Sequence, residues 1–147
     1  MKTSLQPVSW LTERLRIEED GTAALIGMRC KECLEVVFPK SELCPSCTSD
    51  EIESIALTRP KGRVWSFSVV FESYGNVIGL TPPYPVAFIE LEDGGYVQSV
   101  LLGLEGDLPE IGMEVVMDLL TVGQAGDTKE VVYAFRPKTQ AGGALHG

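Results

Sequence analysis

Four cysteines, arranged as two pairs of equal internal spacing, constrain this chain more than any other feature. Cys30 and Cys33 form the first pair, Cys44 and Cys47 form the second, and the chain has no other cysteine. A Cys-x-x-Cys step lets two thiolates converge on one ion, and two steps complete a tetrahedral site with zinc–sulfur distances of about 2.3 Å. The spacing therefore predicts a closed zinc site. Because protein atoms fill every coordination position, we expect this metal to be structural rather than catalytic.

Other uses of the four thiols fit the sequence less well. Two disulfides would require an oxidising compartment, and the N-terminus lacks the apolar segment of a signal peptide. A redox Cys-x-x-Cys motif would use one pair and leave the other without a role. Iron can occupy the same four-thiolate cage, as in rubredoxin-like electron carriers, and geometry alone does not exclude it.

The size and the net charge of the chain limit the classes of function that it can have. The 147 residues suit one compact unit or two small subdomains, and a hydrophobic content of 44% is ample for a core. The formal net charge of −9 disfavours phosphate backbones and anionic membrane surfaces as partners. No apolar run approaches the roughly 20 residues that a membrane helix needs. We expect a cytoplasmic protein with neither a membrane nor a nucleic-acid partner.

The segment ahead of the cysteines has helical spacing. Trp10, Leu11 and Leu15 recur at helical intervals within residues 7–20, Ser9 is a suitable N-cap, and Gly21 is expected to end the helix. The pattern predicts an N-terminal helix within residues 1–22. Two interpretations stay open: the helix packs on its own domain, or Trp10 and Leu11 dock on another chain.

The remainder of the chain has a β pattern. Short strands are expected around the cysteines, within a zinc ribbon over residues 23–58. Five further strands, at residues 63–71, 86–92, 96–102, 114–121 and 130–135, suit an OB-type barrel over residues 59–138. Residues 139–147 are expected to form a flexible tail. The predicted fold class is therefore mostly β, with an N-terminal helix, a four-cysteine ribbon and a five-stranded barrel.

Two apolar features of the barrel have competing interpretations. Trp65 and Phe67 share one face of the first barrel strand, and we interpret both as core residues. The alternative is that they line a channel for an acyl chain together with the proline-rich loop at Tyr84. Tyr84 is also a candidate contact for a partner protein.

The sequence offers no convincing catalytic set. Its one histidine, His146, lies in the Gly/Ala-rich tail, and the metal site uses every cysteine. Carboxylates such as Glu90 and Glu92 are better explained as the solvated face of a hairpin. Residues 64–128 contain ten acidic residues and no Lys or Arg, which argues against a nucleic-acid-binding barrel.

The cations lie outside that acidic span. Arg29, Lys31 and Lys40 flank the cysteine pairs, Arg59, Lys61 and Arg63 mark the junction of the two predicted units, and Arg136 and Lys138 close the last strand. Scattered solubilising charge explains any one of them. As a set they frame the junction, where they predict a site for the phosphates of coenzyme A.

A series of short motifs resembles the zinc-ribbon/OB-fold acyl-CoA-associated family. The resemblance covers about residues 7–138, and it departs from the family pattern at Leu34 and Thr48, where glycine often follows each cysteine pair. The residues that carry it are Leu25, Gly27, Arg29, Cys30 and Cys33, then Phe38-Pro39, Cys44-Pro45 and Cys47, Gly62 and Val64, Pro85-Val86-Ala87, Leu91-Glu92-Asp93-Gly94, Ile111-Gly112-Met113 and Phe135-Arg136-Pro137.

The resemblance implies both an architecture and a role. The architecture is an N-terminal helix, a rubredoxin-like four-thiolate zinc ribbon and an OB barrel. The role is that of a non-catalytic subunit that joins a thiolase-like enzyme in a hetero-oligomer, stabilises it and contacts acyl-CoA. By this resemblance the catalytic residues lie on the partner, in a pathway such as aromatic or steroid degradation. A hydratase or acetyltransferase as partner is one alternative, and an iron electron carrier is another.

Overall fold

The computed structural model describes residues 4–71, 80–104 and 106–138. Within those ranges the chain is built from β-strands, with a short 3-10 turn at Ser9–Leu11. The strands are β1 (Ser4–Pro7), β2 (Leu15–Ile17), β3 (Ala23–Cys30), β4 (Val36–Val37), β5 (Ile52–Thr58), β6 (Lys61–Val70), β7 (Tyr84–Leu91), β8 (Tyr96–Val100), β9 (Glu114–Ala125) and β10 (Thr128–Pro137).

The predicted N-terminal helix is wrong, because the segment pairs with two sheets instead. β1 runs parallel to β10, with Ser4 opposite Thr128, and β2 pairs antiparallel with β3. These sheet edges take up backbone groups that a helix would have bonded internally. Leu11 and Leu15 are buried, at 3% and 1% exposure, because the 3-10 turn and β2 each direct one apolar side chain inward. The spacing of these apolar residues therefore matches a helix although the segment is not helical.

The ribbon sheet surrounds the cysteine pairs as the sequence predicts. β3 is its central strand and leads into the first pair, β4 leaves that pair, and β5 leaves the second. β2 and β4 pair with successive parts of β3, and β5 pairs with β3 from Ala24 to Cys30.

The barrel contains the five predicted strands as β6 to β10. One sheet runs in the order β1-β10-β9-β6-β7-β8. A bridge between Leu101 and Phe135 joins its far end back to β10, and the Leu102 N–H donates to the Phe135 carbonyl at 2.8 Å. The parallel strand β1 is an addition that the sequence pattern does not reveal.

A β-bulge in β6 interrupts the alternation of inward and outward side chains that the sequence predicts there. Val64 lies opposite Ile89, and Ser66 lies opposite Phe88, so Trp65 is the extra residue. Val64 is 2% exposed, whereas Trp65 is 58% exposed and only Phe67 packs against the core. The prediction that Trp65 is a core residue is therefore wrong, because strict alternation cannot anticipate a bulge.

The ribbon and the barrel share one core. Leu25 and Phe38 of the ribbon belong to the same buried cluster as Ile89 and Phe135 of the barrel. The Phe38 ring also meets Tyr133 edge-on, with centroids 6.4 Å apart. The two units are thus packed together rather than linked by a free connector.

No helix in the described ranges is long and apolar enough to cross a membrane. The predicted tail at residues 139–147, with His146, lies outside the described residues.

Candidate functional site

Each cysteine pair sits in a knuckle, a tight turn closed by two backbone hydrogen bonds. In the first knuckle the Leu34 N–H donates to the Cys30 carbonyl at 2.9 Å, and the Cys30 N–H donates to the Glu35 carbonyl at 2.9 Å. The second knuckle repeats both bonds, at 2.8 and 2.9 Å. The two knuckles therefore have the same local structure, as their equal spacing predicts.

One residue in each knuckle takes a left-handed backbone conformation. Leu34 has φ 69° and Thr48 has φ 62°. At these two positions the sequence lacks the glycine that often follows each cysteine pair in the family that it resembles. Glycine adopts such angles without steric cost. The departure therefore leaves the turn intact, and the backbone absorbs a conformational cost at both positions.

The four sulfur atoms fit a single tetrahedral zinc ion. The Sγ atoms of Cys30 and Cys47 are 3.5 Å apart, those of Cys33 and Cys44 are 3.6 Å apart, and all four lie within 4.8 Å of one another. Four sulfurs at about 2.3 Å from a shared centre would be about 3.8 Å from each other. The donor set and its spacing match a structural zinc site, and no fifth donor from the described residues joins the cluster.

The thiols differ in burial and in pKa. Cys30 and Cys44 are buried, whereas Cys33 and Cys47 are exposed. The backbone N–H of Cys33 is the main cause that lowers the pKa of Cys30 to about 7. At Cys33 the Glu35 N–H acts in the lowering direction, but loss of hydration of the sulfur atom within the cluster and the neighbouring thiols outweigh it and raise the pKa to about 12. One thiol thus ionises readily, while a metal ion must displace the proton of another.

The predicted coenzyme A cations of the ribbon lie near the knuckles. Arg29 pairs with Glu53 at 2.8 Å, and the Lys40 ammonium donates to the Ser54 hydroxyl at 2.6 Å. Lys31 follows Cys30 directly and is exposed. The side chains of Arg29 and Lys40 thus contact neighbouring residues of the ribbon itself.

Arg63 lies at the junction, in a cavity of about 390 Å³. Lys61 and Lys138 line the same cavity, as do Glu90, Glu92 and Glu114, so three cations and three carboxylates meet there. Arg63 and Lys138 both pair with Glu114, at 3.1 and 3.3 Å, and Lys61 approaches Glu92 at 3.8 Å. The sequence signal that identifies Lys61 is its position two residues before Arg63, on the same side of β6.

Arg136 lies in a different cavity of about 500 Å³, lined also by Arg59. Its guanidinium donates to Asp118 at 2.6 Å, and its side chain is 22% exposed. The structure therefore distributes the predicted cations over the ribbon and two cavities and does not bring the whole set together.

The three predicted partner contacts have different environments. Trp10 is 59% exposed, whereas Leu11 is 3% exposed and belongs to the core, so only Trp10 of this pair remains available to a partner. Tyr84 is half-buried and lines an apolar cavity of about 360 Å³ together with Leu101 and Leu104.

Residues 24–53 match the family model described as "ChsH2, rubredoxin-like zinc ribbon domain", and residues 56–119 match "ChsH2, C-terminal OB-fold domain". A protein of Methanocaldococcus jannaschii named "DUF35 domain-containing scaffold protein" is 35% identical over 115 residues, covering 78% of this chain and 80% of its own length.

Two further similarities involve proteins of named assemblies. "Benzoylsuccinyl-CoA thiolase subunit BbsA" of Thauera aromatica is 34% identical over 127 residues, covering 83% of either chain. The solved structure titled "Ltp2-ChsH2(DUF35) aldolase" contains a chain that is 30% identical, with a TM-score of 0.62, covering 78% of this chain and 84% of that one.

Proposed function

Because this chain belongs to the ChsH2/DUF35 family, in which a rubredoxin-like zinc ribbon is joined to an OB-fold domain, we propose that it is a non-catalytic scaffold subunit of a thiolase-type acyl-CoA complex. Similarity along nearly the whole length of a named thiolase subunit carries this proposal, since 83% of that relative is covered. In the complex, this chain stabilises the catalytic partner and helps to bind the acyl-CoA substrate.

The chemistry of the described residues supports a role without catalysis. All four cysteines converge on one closed metal site, and no second cluster of metal-ligating side chains occurs within residues 4–71, 80–104 and 106–138. A zinc ion held by four thiolates has no open position for water or substrate. Its contribution is to folding, because a small ribbon gains much of its stability from the metal.

The first experiment isolates the complex. The affinity-tagged chain would be produced in its native organism, purified without denaturant, and its companions identified by mass spectrometry. We expect a thiolase-type protein in a fixed ratio, cleavage of a 3-oxoacyl-CoA carbon–carbon bond by the complex with coenzyme A as acceptor, and no such cleavage by the chain alone. Turnover by the purified chain, or its isolation as a solitary protein, would refute the proposal.

Contact with coenzyme A is a finer part of the proposal. Of the cations predicted from sequence, Arg63 has the strongest support, because its cavity also holds Lys61 and Lys138. Phosphate groups of coenzyme A would compete there with Glu114 for two of the cations. Arg29, Lys31, Lys40 and Arg136 stay predictions for the same role.

Titration of the isolated complex with coenzyme A tests this contact. Arg63→Ala should weaken binding about tenfold, because it removes a charge-assisted hydrogen bond. Arg16→Ala is the matched control, since Arg16 is an exposed cation of β2 that pairs with Glu18 at 2.8 Å. Equal affinities of both variants and the wild-type complex would remove Arg63 from the site.

A further inference from the structure

The outer side of β6, β7 and β8 carries three aromatic rings in mutual contact. Trp65 meets Tyr96 edge-on with centroids 5.9 Å apart, and Phe88 stacks on Tyr96 at 5.2 Å with an interplanar angle of 3°. All three are well exposed, at 58%, 38% and 41% for Trp65, Tyr96 and Phe88. The inward neighbours Ile89 and Val97 are 0% and 2% exposed, so these rings belong to the outer side and not to the core.

The same surface extends to the other tryptophan of the chain. Gln98 lies opposite Phe88 in the β7–β8 register. Gln98 also lines a cavity of about 330 Å³ with Trp10, Val86 and Val100. We call the combined surface the aromatic face, defined by Trp10, Trp65, Val86, Phe88, Tyr96, Gln98 and Val100.

The composition of the aromatic face is that of a binding surface. Trp, Tyr and Phe are enriched at protein interfaces and depleted on free surfaces, because their exposed rings gain most from removal of water. Both tryptophans of the chain lie on this face. The bulge in β6 places Trp65 there, since Val64 before it is buried and Phe67 after it packs against the core. Bulges commonly re-aim a side chain toward a binding site.

Charge decides between the two classes of macromolecule that such a face could bind. Aromatic rings on an OB barrel could stack nucleic-acid bases, but that use requires Lys and Arg to follow the phosphates. Residues 64–128, which supply most of the face, contain ten acidic residues and no Lys or Arg. Two single cations lie at its margin: Arg14 lines the cavity beside Trp10, and Arg63 lies opposite Glu90 in the β6–β7 register. Glu90 lies on the face itself and accepts a hydrogen bond from the Tyr96 hydroxyl at 3.3 Å. A second copy of this chain, at a net charge of −9, would bring the same sign of charge.

The complementary occupant is a protein surface with an apolar centre and a basic rim. We infer that the aromatic face is the surface on which the thiolase-type catalytic subunit docks, through such a patch. The inference rests on the proposed function for the identity of the partner, and on the rings and charges described above for the location and chemistry of the contact.

The experiment uses the thiolase-type protein identified in the isolated complex as its probe. Binding of the purified subunit to the immobilised full-length chain would be measured for Trp65→Ala, Phe88→Ala and the wild type. Each variant should bind at least about 30-fold more weakly, the loss typical of a central aromatic anchor. Association of the wild-type chain should slow as ionic strength rises, because the attraction between acidic and basic surfaces is screened.

Two controls separate docking from folding. Ile111→Ala removes an apolar side chain that is 63% exposed ahead of β9, outside the aromatic face, and should leave the affinity unchanged. Trp65→Phe retains a ring and should recover part of the binding. Zinc content and thermal unfolding of all variants should match the wild type, since Trp65 and Phe88 are surface residues.

The outcomes distinguish this inference from the proposed function. Wild-type affinity in both Trp65→Ala and Phe88→Ala would overturn the aromatic face as the docking surface and leave the proposed function standing. If no thiolase-type protein accompanies the wild-type chain, both fail. Loss of self-association in Trp65→Ala, or quenching of wild-type tryptophan fluorescence by oligo(dT), would assign the face to a second copy or to nucleic acid and would also overturn the inference.

Discussion

Replacement of Gly95 by alanine should separate the ribbon from the barrel. Gly95 has φ +81°, and a Cβ added there would collide with the backbone nitrogen of Phe38 and lie 3.2 Å from the carbonyl carbon of Val37. These atoms belong to the ribbon, at the end of β4, whereas Gly95 belongs to the β7–β8 turn of the barrel. Because backbone atoms cannot rotate away as a flexible side chain can, the two units must shift apart.

The size of the effect follows from two costs. A left-handed conformation costs a non-glycine residue roughly 1–2 kcal/mol. Overpacking of a closely packed contact adds about 1–3 kcal/mol. Gly95→Ala should therefore lower the free energy of unfolding by about 2–5 kcal/mol.

Gly112→Ala is the matched control for this prediction. Gly112 has φ +87°, but no atom lies within 4 Å of an added Cβ, so only the conformational cost applies. Chemical unfolding of the zinc-loaded chains would measure both variants. Gly95→Ala should lose about 1–3 kcal/mol more than Gly112→Ala. Equal losses would refute the direct packing of the barrel turn on the ribbon.

Three further predictions concern the metal site. Leu34→Gly should raise the free energy of unfolding by up to about 1 kcal/mol, because glycine adopts the φ of 69° found at position 34 without strain. An unchanged or lower free energy in chemical unfolding would contradict this. Cys30→Ser should lose the metal and unfold the ribbon. Elemental analysis should find one zinc per wild-type chain and almost none in the variant. Bound iron in the native protein would instead favour an electron carrier. The pKa values of Cys33, about 12, and of Cys47 are raised, so both thiols hold protons near neutral pH and zinc must displace them. Two displaced protons should raise the zinc affinity about 100-fold between pH 7 and pH 8, and a flat competition titration over that range would contradict this.

The sequence determined the metal site because its information is local. Two Cys-x-x-Cys pairs specify both knuckles through their spacing alone, and the Sγ separation of 3.5 Å between Cys30 and Cys47 follows from folding the pairs against each other. Alternation of apolar residues likewise located the five barrel strands, since the side-chain period of a strand is fixed by its backbone.

Only the tertiary structure decided what the N-terminal segment and Trp65 do. Leu11 and Leu15 have the spacing of a helix, but β10 and β3 offer that segment sheet edges, and these partners are distant in sequence. Trp65 leaves the core because one bulge in β6 shifts the alternation, and its ring then meets Tyr96 from another strand. Periodicity reports the neighbours of a residue along the chain, whereas pairing partners and bulges depend on contacts between elements.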